Sequence, residues 1–126
     1  SVEMGPLAHS RRIAAMADLV ADTGGARGEV VTGGKALPGG GFFFEPTVIA
    51  NPAPDSLMMT TEPFGPIAGI VPFDTIEEAI GIANSLRYGL ASYAFSADLD
   101  EAHMLARELR AGMVAINHLM VSSPET

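Results

Sequence analysis

The later part of the chain alternates between two hydrophobic patterns. A continuous apolar run covers residues 67–71, which is typical of a strand that is buried on both faces, and further strand patterns cover residues 91–95 and 113–116. Between these runs, apolar residues recur every three or four positions and indicate helices. Each helix begins with a capping signal, an acid three residues after Thr75 and another three residues after Asp98. The order strand, helix, strand, helix, strand predicts two consecutive βαβ crossovers in one parallel sheet.

Shorter elements are predicted in the earlier part of the chain. A helix over residues 11–22 should be capped by Ser10 and stopped at Gly24. Short strand patterns cover residues 29–32, 42–44 and 47–49, and Pro46 argues for an edge strand or a bend between the last two. The predicted fold class is therefore α/β, with a parallel sheet built from consecutive βαβ units.

Residues 61–66 form a loop that combines a carboxylate, an aromatic ring and two prolines. Pro63 and Pro66 stiffen the backbone, and Gly65 permits a positive φ or the close approach of another group. In one interpretation Glu62 accepts hydrogen bonds from vicinal hydroxyls while Phe64 packs on a flat ring. In the other, the loop is a structural turn and Phe64 fills the core. The spacing alone favours the turn, because proline and glycine occur in most turns.

Composition narrows the classes of function. The 126 residues suit one modest domain or a piece of a larger one. A net charge of −8 with only seven Lys and Arg residues argues against nucleic acid and anionic membranes as partners. The absence of cysteine excludes a disulfide, a thiolate metal site and a cysteine nucleophile within these residues. We expect a cytoplasmic protein.

Polar residues follow the last predicted strand, where ligands of parallel sheets collect. They are Asn117, His118, Ser122 and Ser123. The three histidines lack metal-ligand spacing, so we expect no metal site, and His118 is best interpreted as a hydrogen-bonded structural residue. No nucleophile elbow surrounds the two serines.

Several short motifs occur in one collinear order along nearly the whole chain. They are MGPL (4–7), TGG (32–34), GFFFEPTV (41–48), EPFGP (62–66), PFD (72–74), EAI (78–80), AN (83–84), YGL (88–90) and GMVAIN (112–117). Together they resemble the NAD(P)-dependent aldehyde dehydrogenase superfamily. The closing residues 118–126 are most similar to its succinate-semialdehyde branch.

The resemblance implies that residues 1–126 are the later part of the catalytic domain of such an enzyme. The dinucleotide-binding domain, the nucleophilic cysteine and the general-base glutamate would lie earlier in the parent chain, so these residues alone are expected to be inactive. The parent would use NAD or NADP to oxidise a small aldehyde, with succinate semialdehyde as the leading candidate, and would be a homo-oligomer. The alternative is a non-enzymatic α/β module that binds a partner or a small molecule.

The resemblance also assigns roles to individual residues. Glu62 would accept hydrogen bonds from the nicotinamide ribose, Phe64 would flank the nicotinamide ring and Leu90 would be its apolar neighbour. The substrate side would be lined by Met120, Val121 and Ser122. Arg11 and Arg12 on the first helix receive no role.

Overall fold

The computed structural model describes residues 4–24 and 27–120. The chain divides into two compact units, Ser1–Pro72 and Phe73–Thr126. Both are mixtures of helices and strands, and each contains one parallel strand pair. The predicted α/β class with parallel pairing is confirmed.

The first unit places two helices against a three-stranded sheet. Its strand order is β1-β2-β3, with β1 antiparallel to β2 and β2 parallel to β3. The elements in chain order are α1 (Ser10–Asp22), β1 (Glu29–Thr32), β2 (Thr47–Ala50), α2 (Leu57–Thr60) and β3 (Ile67–Ile70).

The core of the first unit lies between α1 and the central strand. Met16 and Leu19 on one face of α1 pack with Phe44, Ile49 and Ile67, and Met16 and Ile49 have no exposed surface. The helical spacing of the apolar residues in α1 produces this face, because residues three or four apart lie on the same side of a helix. The core thereby fixes α1 beside the loop that joins α2 to β3.

Up to residue 120, the second unit contains two helices and one parallel strand pair. Its elements are α3 (Ile76–Ala83), β4 (Ala91–Ala94), α4 (Leu99–Glu108) and β5 (Met113–Ile116). β4 pairs with β5 from Ala91↔Met113 to Ala94↔Ile116, and α4 makes the crossover between them. The buried residues of this unit come from β4, α4 and β5; they are Ala94, Ala102, Leu105 and Ala115.

Both predicted helix caps of this unit are present. The Thr75 hydroxyl accepts a hydrogen bond from the Glu78 N–H at 3.2 Å. The Asp98 carboxylate accepts from the N–H groups of Asp100 and Glu101 at 2.8 and 3.0 Å. These bonds satisfy backbone donors that have no partner within the helix.

The expectation of one sheet containing residues 67–71, 91–95 and 113–116 was wrong. β3 pairs with β2 in the first sheet, whereas β4 and β5 form a second sheet. β3 is also not buried on both faces, since only Ile67 is buried. An apolar run indicates a strand but carries no information about its hydrogen-bonded neighbour.

Two local predictions were also wrong, and a third was wrong in one of its two alternatives. Residues 42–44 make only an isolated bridge, Ala36↔Phe44, instead of a strand. Ser10 is the first residue of α1, and His9 occupies the cap position without a side-chain hydrogen bond. Glu45 and Pro46 lie outside any strand, between residues 42–44 and β2, so the predicted break is present, but β2 is the central strand rather than an edge.

None of the helices in the described part of the chain has the length and apolar character that a membrane crossing requires.

Candidate functional site

The loop over residues 61–66 is anchored at both ends. At its start, the N–H and the hydroxyl of Thr61 both donate to the Leu57 carbonyl, at 3.0 and 2.7 Å. At its end, the Pro66 carbonyl accepts from the Thr47 N–H at 2.8 Å. Thr47 is buried in the central strand, so the end of the loop is fixed to the sheet. The intervening residues are therefore held between α2 and β2.

Helix α1 supports the middle of the loop. The Arg12 guanidinium donates a hydrogen bond to the Pro63 carbonyl and lies 5.9 Å from the centroid of the Phe64 ring. Met16, one helical turn later, packs against Gly65 so closely that a Cβ at Gly65 would overlap its side chain. Because residues four apart share one helix face, α1 holds three consecutive loop residues.

Of the two alternatives expected for Gly65, the close approach of another group is the one observed, and the positive φ falls on its neighbour. Phe64, not Gly65, has a positive φ, at 44°. A bulky residue rarely adopts this left-handed conformation, since the side chain then crowds the backbone. Gly65 instead provides the close approach to Met16. The loop therefore keeps its aromatic residue in a conformation that the surrounding contacts must maintain.

Helix α2, which the sequence did not predict, fixes the entry to the loop. The Asp22 carboxylate at the end of α1 accepts from the Leu57 N–H at 2.7 Å. Arg27 lies 3.9 Å from Asp22 and 3.3 Å from Asp55. This group of charges orients α2 and, through it, Thr61.

Glu62 is exposed and lies at the edge of a surface cavity of about 260 Å³. The other residues that line this cavity come from α1, α2 and the start of the loop; they are Arg12, Ala15, Asp18, Leu19, Leu57 and Thr61. Phe64 is 67% exposed and does not fill the core. The structure therefore presents both an acceptor carboxylate and an exposed aromatic ring. The interpretation in which Phe64 fills the core is wrong.

In the second unit, Leu90 lies immediately before β4 and is 79% exposed. Its backbone is fixed by the Met113 N–H, which donates to the Leu90 carbonyl at 3.2 Å, and by the Gly112 N–H, which donates to Gly89 at 2.7 Å. In the preceding turn, Arg87 donates to the Tyr88 hydroxyl at 3.3 Å, and this hydrogen bond raises the pKa of Arg87. Leu90 is thus an exposed apolar side chain on a well-paired backbone.

The residues after β5 carry structural roles, of which the sequence predicted only that of His118. Asn117 has a φ of 54°, and its amide pairs with the backbone of Ser96, accepting at 2.9 Å and donating at 2.8 Å. His118 Nδ1 accepts from the Met120 N–H at 3.1 Å, so the expectation of a hydrogen-bonded histidine is confirmed. Met120 is 58% exposed. These bonds fix the backbone of residues 117–120, the segment that contains Met120 of the predicted substrate side.

The predicted site residues occupy different places within each unit. Glu62 and Phe64 share the loop over residues 61–66. Leu90 lies at the amino end of β4, whereas Met120 follows the carboxyl end of β5. Val121 and Ser122 lie outside the described residues, as does Ser123.

Sequence reasoning missed Arg12, Met16 and Asn84. Asn84 donates to the Glu108 carbonyl at 2.7 Å and accepts from the Arg110 N–H at 2.8 Å, so it ties the end of α3 to the end of α4. The four-residue spacing of Arg12 and Met16 was visible as a shared helix face, but nothing in the sequence showed which loop that face meets.

Known proteins resemble the chain in both sequence and fold. The sequence profile described as the aldehyde dehydrogenase family matches residues 1–126. Mitochondrial succinate-semialdehyde dehydrogenase of Mus musculus is 41% identical over 121 residues, which is 96% of this chain and 23% of that protein. The 4-(hydroxymethyl)benzenesulfonate dehydrogenase TsaD1 of Comamonas testosteroni is 41% identical over 123 residues, covering 98% of this chain and 25% of its own length.

Among solved structures, that of 3,6-anhydro-L-galactose dehydrogenase in complex with NAP matches with a TM-score of 0.88 and 34% identity. The match covers 96% of this chain and 26% of that chain. The chain thus spans about a quarter of the length of these relatives.

Proposed function

Because the chain belongs to the aldehyde dehydrogenase family, we propose that it forms part of the catalytic domain of an enzyme that oxidises an aldehyde to a carboxylic acid with NAD(P)+. The observation that carries the proposal is the loop over residues 61–66, which is fixed at both ends and supported by α1. A loop whose backbone is anchored in this way suits the positioning of a cofactor by its carboxylate and its ring, since orientation lowers the barrier of a transfer reaction. The 126 residues contain no cysteine, so the nucleophile must come from elsewhere in the full-length protein.

The proposed task of Glu62 is to hold the nicotinamide ribose. An ionised carboxylate has two acceptor oxygens and no donor, which matches two neighbouring hydroxyl groups. Hydrogen bonds to an ionised group are stronger than those between neutral groups. The cavity beside Glu62 is open at the surface and has room for a ligand group to approach the carboxylate. The described residues therefore fit the cofactor.

Phe64 and Leu90 are proposed to limit the position of the nicotinamide ring. The exposed face of Phe64 offers a flat apolar contact, and Leu90 offers an exposed aliphatic contact. When bound, NAD(P)+ accepts a hydride from the substrate. In this proposal each side chain excludes water from the part of the ring that it contacts.

The proposed substrate is an aldehyde with an anionic group, and succinate semialdehyde is the first candidate. The names of two relatives at 41% identity support this, because succinate carries a carboxylate and benzenesulfonate a sulfonate. Met120, Val121 and Ser122 are proposed to line the substrate side. We also propose that the full-length enzyme is a homo-oligomer, which sedimentation can measure.

A steady-state assay of the full-length protein tests this proposal. Succinate semialdehyde and butanal have the same number of carbons, but only the former carries a carboxylate, so they form a matched pair. We expect oxidation of both with NAD+ or NADP+, and a kcat/KM at least about tenfold higher for succinate semialdehyde, because an ionic contact retained in the transition state contributes on this scale. Equal kcat/KM values for the two aldehydes would contradict the proposal of an anionic substrate. A full-length protein that oxidises no aldehyde would contradict the proposed function.

A further inference from the structure

We propose that Arg12 is the positioning residue that keeps the Glu62 carboxylate and the Phe64 ring in their working arrangement. The inference rests on the proposed function. Arg12 lies on α1, far from the loop in sequence, yet its guanidinium reaches both the Pro63 carbonyl and the face of the Phe64 ring. Arg12 therefore contacts the loop on both sides of the peptide bond between Pro63 and Phe64.

The backbone of Phe64 explains why such a contact is needed. Its φ of 44° lies in the left-handed region, which costs free energy for a bulky residue and persists only when neighbouring contacts maintain it. Arg12 supplies two of these contacts, a hydrogen bond from a charged donor and a cation–π interaction. Met16 supplies a third by packing against Gly65. Without Arg12, Phe64 is free to return to an ordinary conformation and the loop to move.

Arg12 also leaves the carboxylate of Glu62 available. Both side chains line the same cavity. Yet among the ion pairs of residues 4–24 and 27–120, none joins Arg12 to Glu62. The guanidinium donates to a backbone carbonyl instead, so it orders the loop without occupying the acceptor oxygens that the ribose hydroxyls require. An arginine suits this role because its planar group both donates in a fixed direction and stacks on a ring.

The test compares three variants of the full-length enzyme: Arg12→Met, Arg12→Lys and, as the matched control, Arg11→Met. Arg11 is the adjacent residue on the same helix and is exposed. The first readout is amide hydrogen exchange of residues 57–67 without cofactor, which reports the order of the loop directly. The second readout compares, in each variant, the change in the KM for NAD(P)+ with the change in the rate of ester hydrolysis, a reaction that requires no cofactor.

We expect Arg12→Met to speed exchange in residues 57–67 by about tenfold and to raise the KM for NAD(P)+ by a similar factor, as the loss of a charge-assisted hydrogen bond predicts. Ester hydrolysis should change by less than about twofold, because the lost contact orders only the cofactor loop. Arg12→Lys keeps the charge and the ability to donate but loses the planar guanidinium, so it should fall between Arg12→Met and the unaltered enzyme. Arg11→Met should match the unaltered enzyme.

Two results would overturn the inference. One is exchange and KM values for Arg12→Met that equal those of Arg11→Met. The other is a loss of ester hydrolysis and thermal stability in proportion to the change in KM, which would indicate a merely structural residue. If the unaltered enzyme oxidises no aldehyde, the proposed function fails, and the exchange data alone still decide whether Arg12 orders the loop.

Discussion

Met16 and Gly65 are in such close contact that Gly65 has no room for a Cβ. Met16 is fully buried in the core of the first unit, and Gly65 lies in the loop that carries Glu62 and Phe64. The core and the candidate cofactor loop are therefore in direct contact. A change on either side of this contact must move the other, because a packed interior does not deform freely.

Gly65→Ala should destabilise the first unit by about 1–3 kcal/mol, the usual cost of forcing an extra carbon into a packed core. Gly40→Ala is the matched control, because a Cβ at Gly40 meets no atom within 4 Å. Native-state hydrogen exchange of α1 and β2 in the full-length protein measures the difference. Equal protection in the two variants would show that the contact with Met16 is unimportant.

Asn117 and Asn84 form similar two-bond amide bridges, but only Asn117 has a positive φ. Replacing either with alanine should cost about 1–2 kcal/mol in the second unit through two lost hydrogen bonds. Asn117→Ala should cost about 1 kcal/mol more than Asn84→Ala, because alanine resists the left-handed conformation. Asn117→Gly should recover that difference. Local unfolding free energies from hydrogen exchange test this order, and an Asn117→Ala variant as stable as Asn84→Ala would contradict it.

Two glycines of the second unit should respond to alanine in opposite directions. Gly81 lies in α3 with open space around it, so Gly81→Ala should stabilise the helix by about 0.5–1 kcal/mol. A Cβ at Gly89 would lie 2.6 Å from the Arg110 carbonyl oxygen, so Gly89→Ala should be destabilising. Exchange protection of α3 and of β4 measures the two effects. Effects of the same sign would mean that the local packing is not what determines them.

The sequence predicted most elements but not their partners. The caps at Thr75 and Asp98 could be identified because the capping signal is local, and the structure confirms both. The placement of β3 beside β2 could not, because strand pairing depends on contacts between distant residues. For the same reason residues 42–44 were predicted as a strand although they make only an isolated bridge.

The candidate site, too, was predicted only in part. Residues 61–66 were singled out because two prolines, a glycine, an acid and a ring occur together. The support from Arg12 and Met16 was not predicted, since it depends on which helix face meets the loop. Asn117 attracted attention as the residue after a strand, yet its amide pairs with Ser96, a contact that only the three-dimensional arrangement reveals.

The proposed role of Glu62 in positioning the cofactor is tested most directly by single-turnover kinetics of Glu62→Gln in the full-length enzyme. Glutamine keeps the size and one acceptor but loses the charge. A hydrogen bond to a charged group contributes about 1.5–3 kcal/mol, so hydride transfer should slow by roughly one to two orders of magnitude. Ester hydrolysis should change much less, because it needs no cofactor. Hydride transfer at the unaltered rate would contradict the assignment of Glu62 and return the loop to a purely structural role.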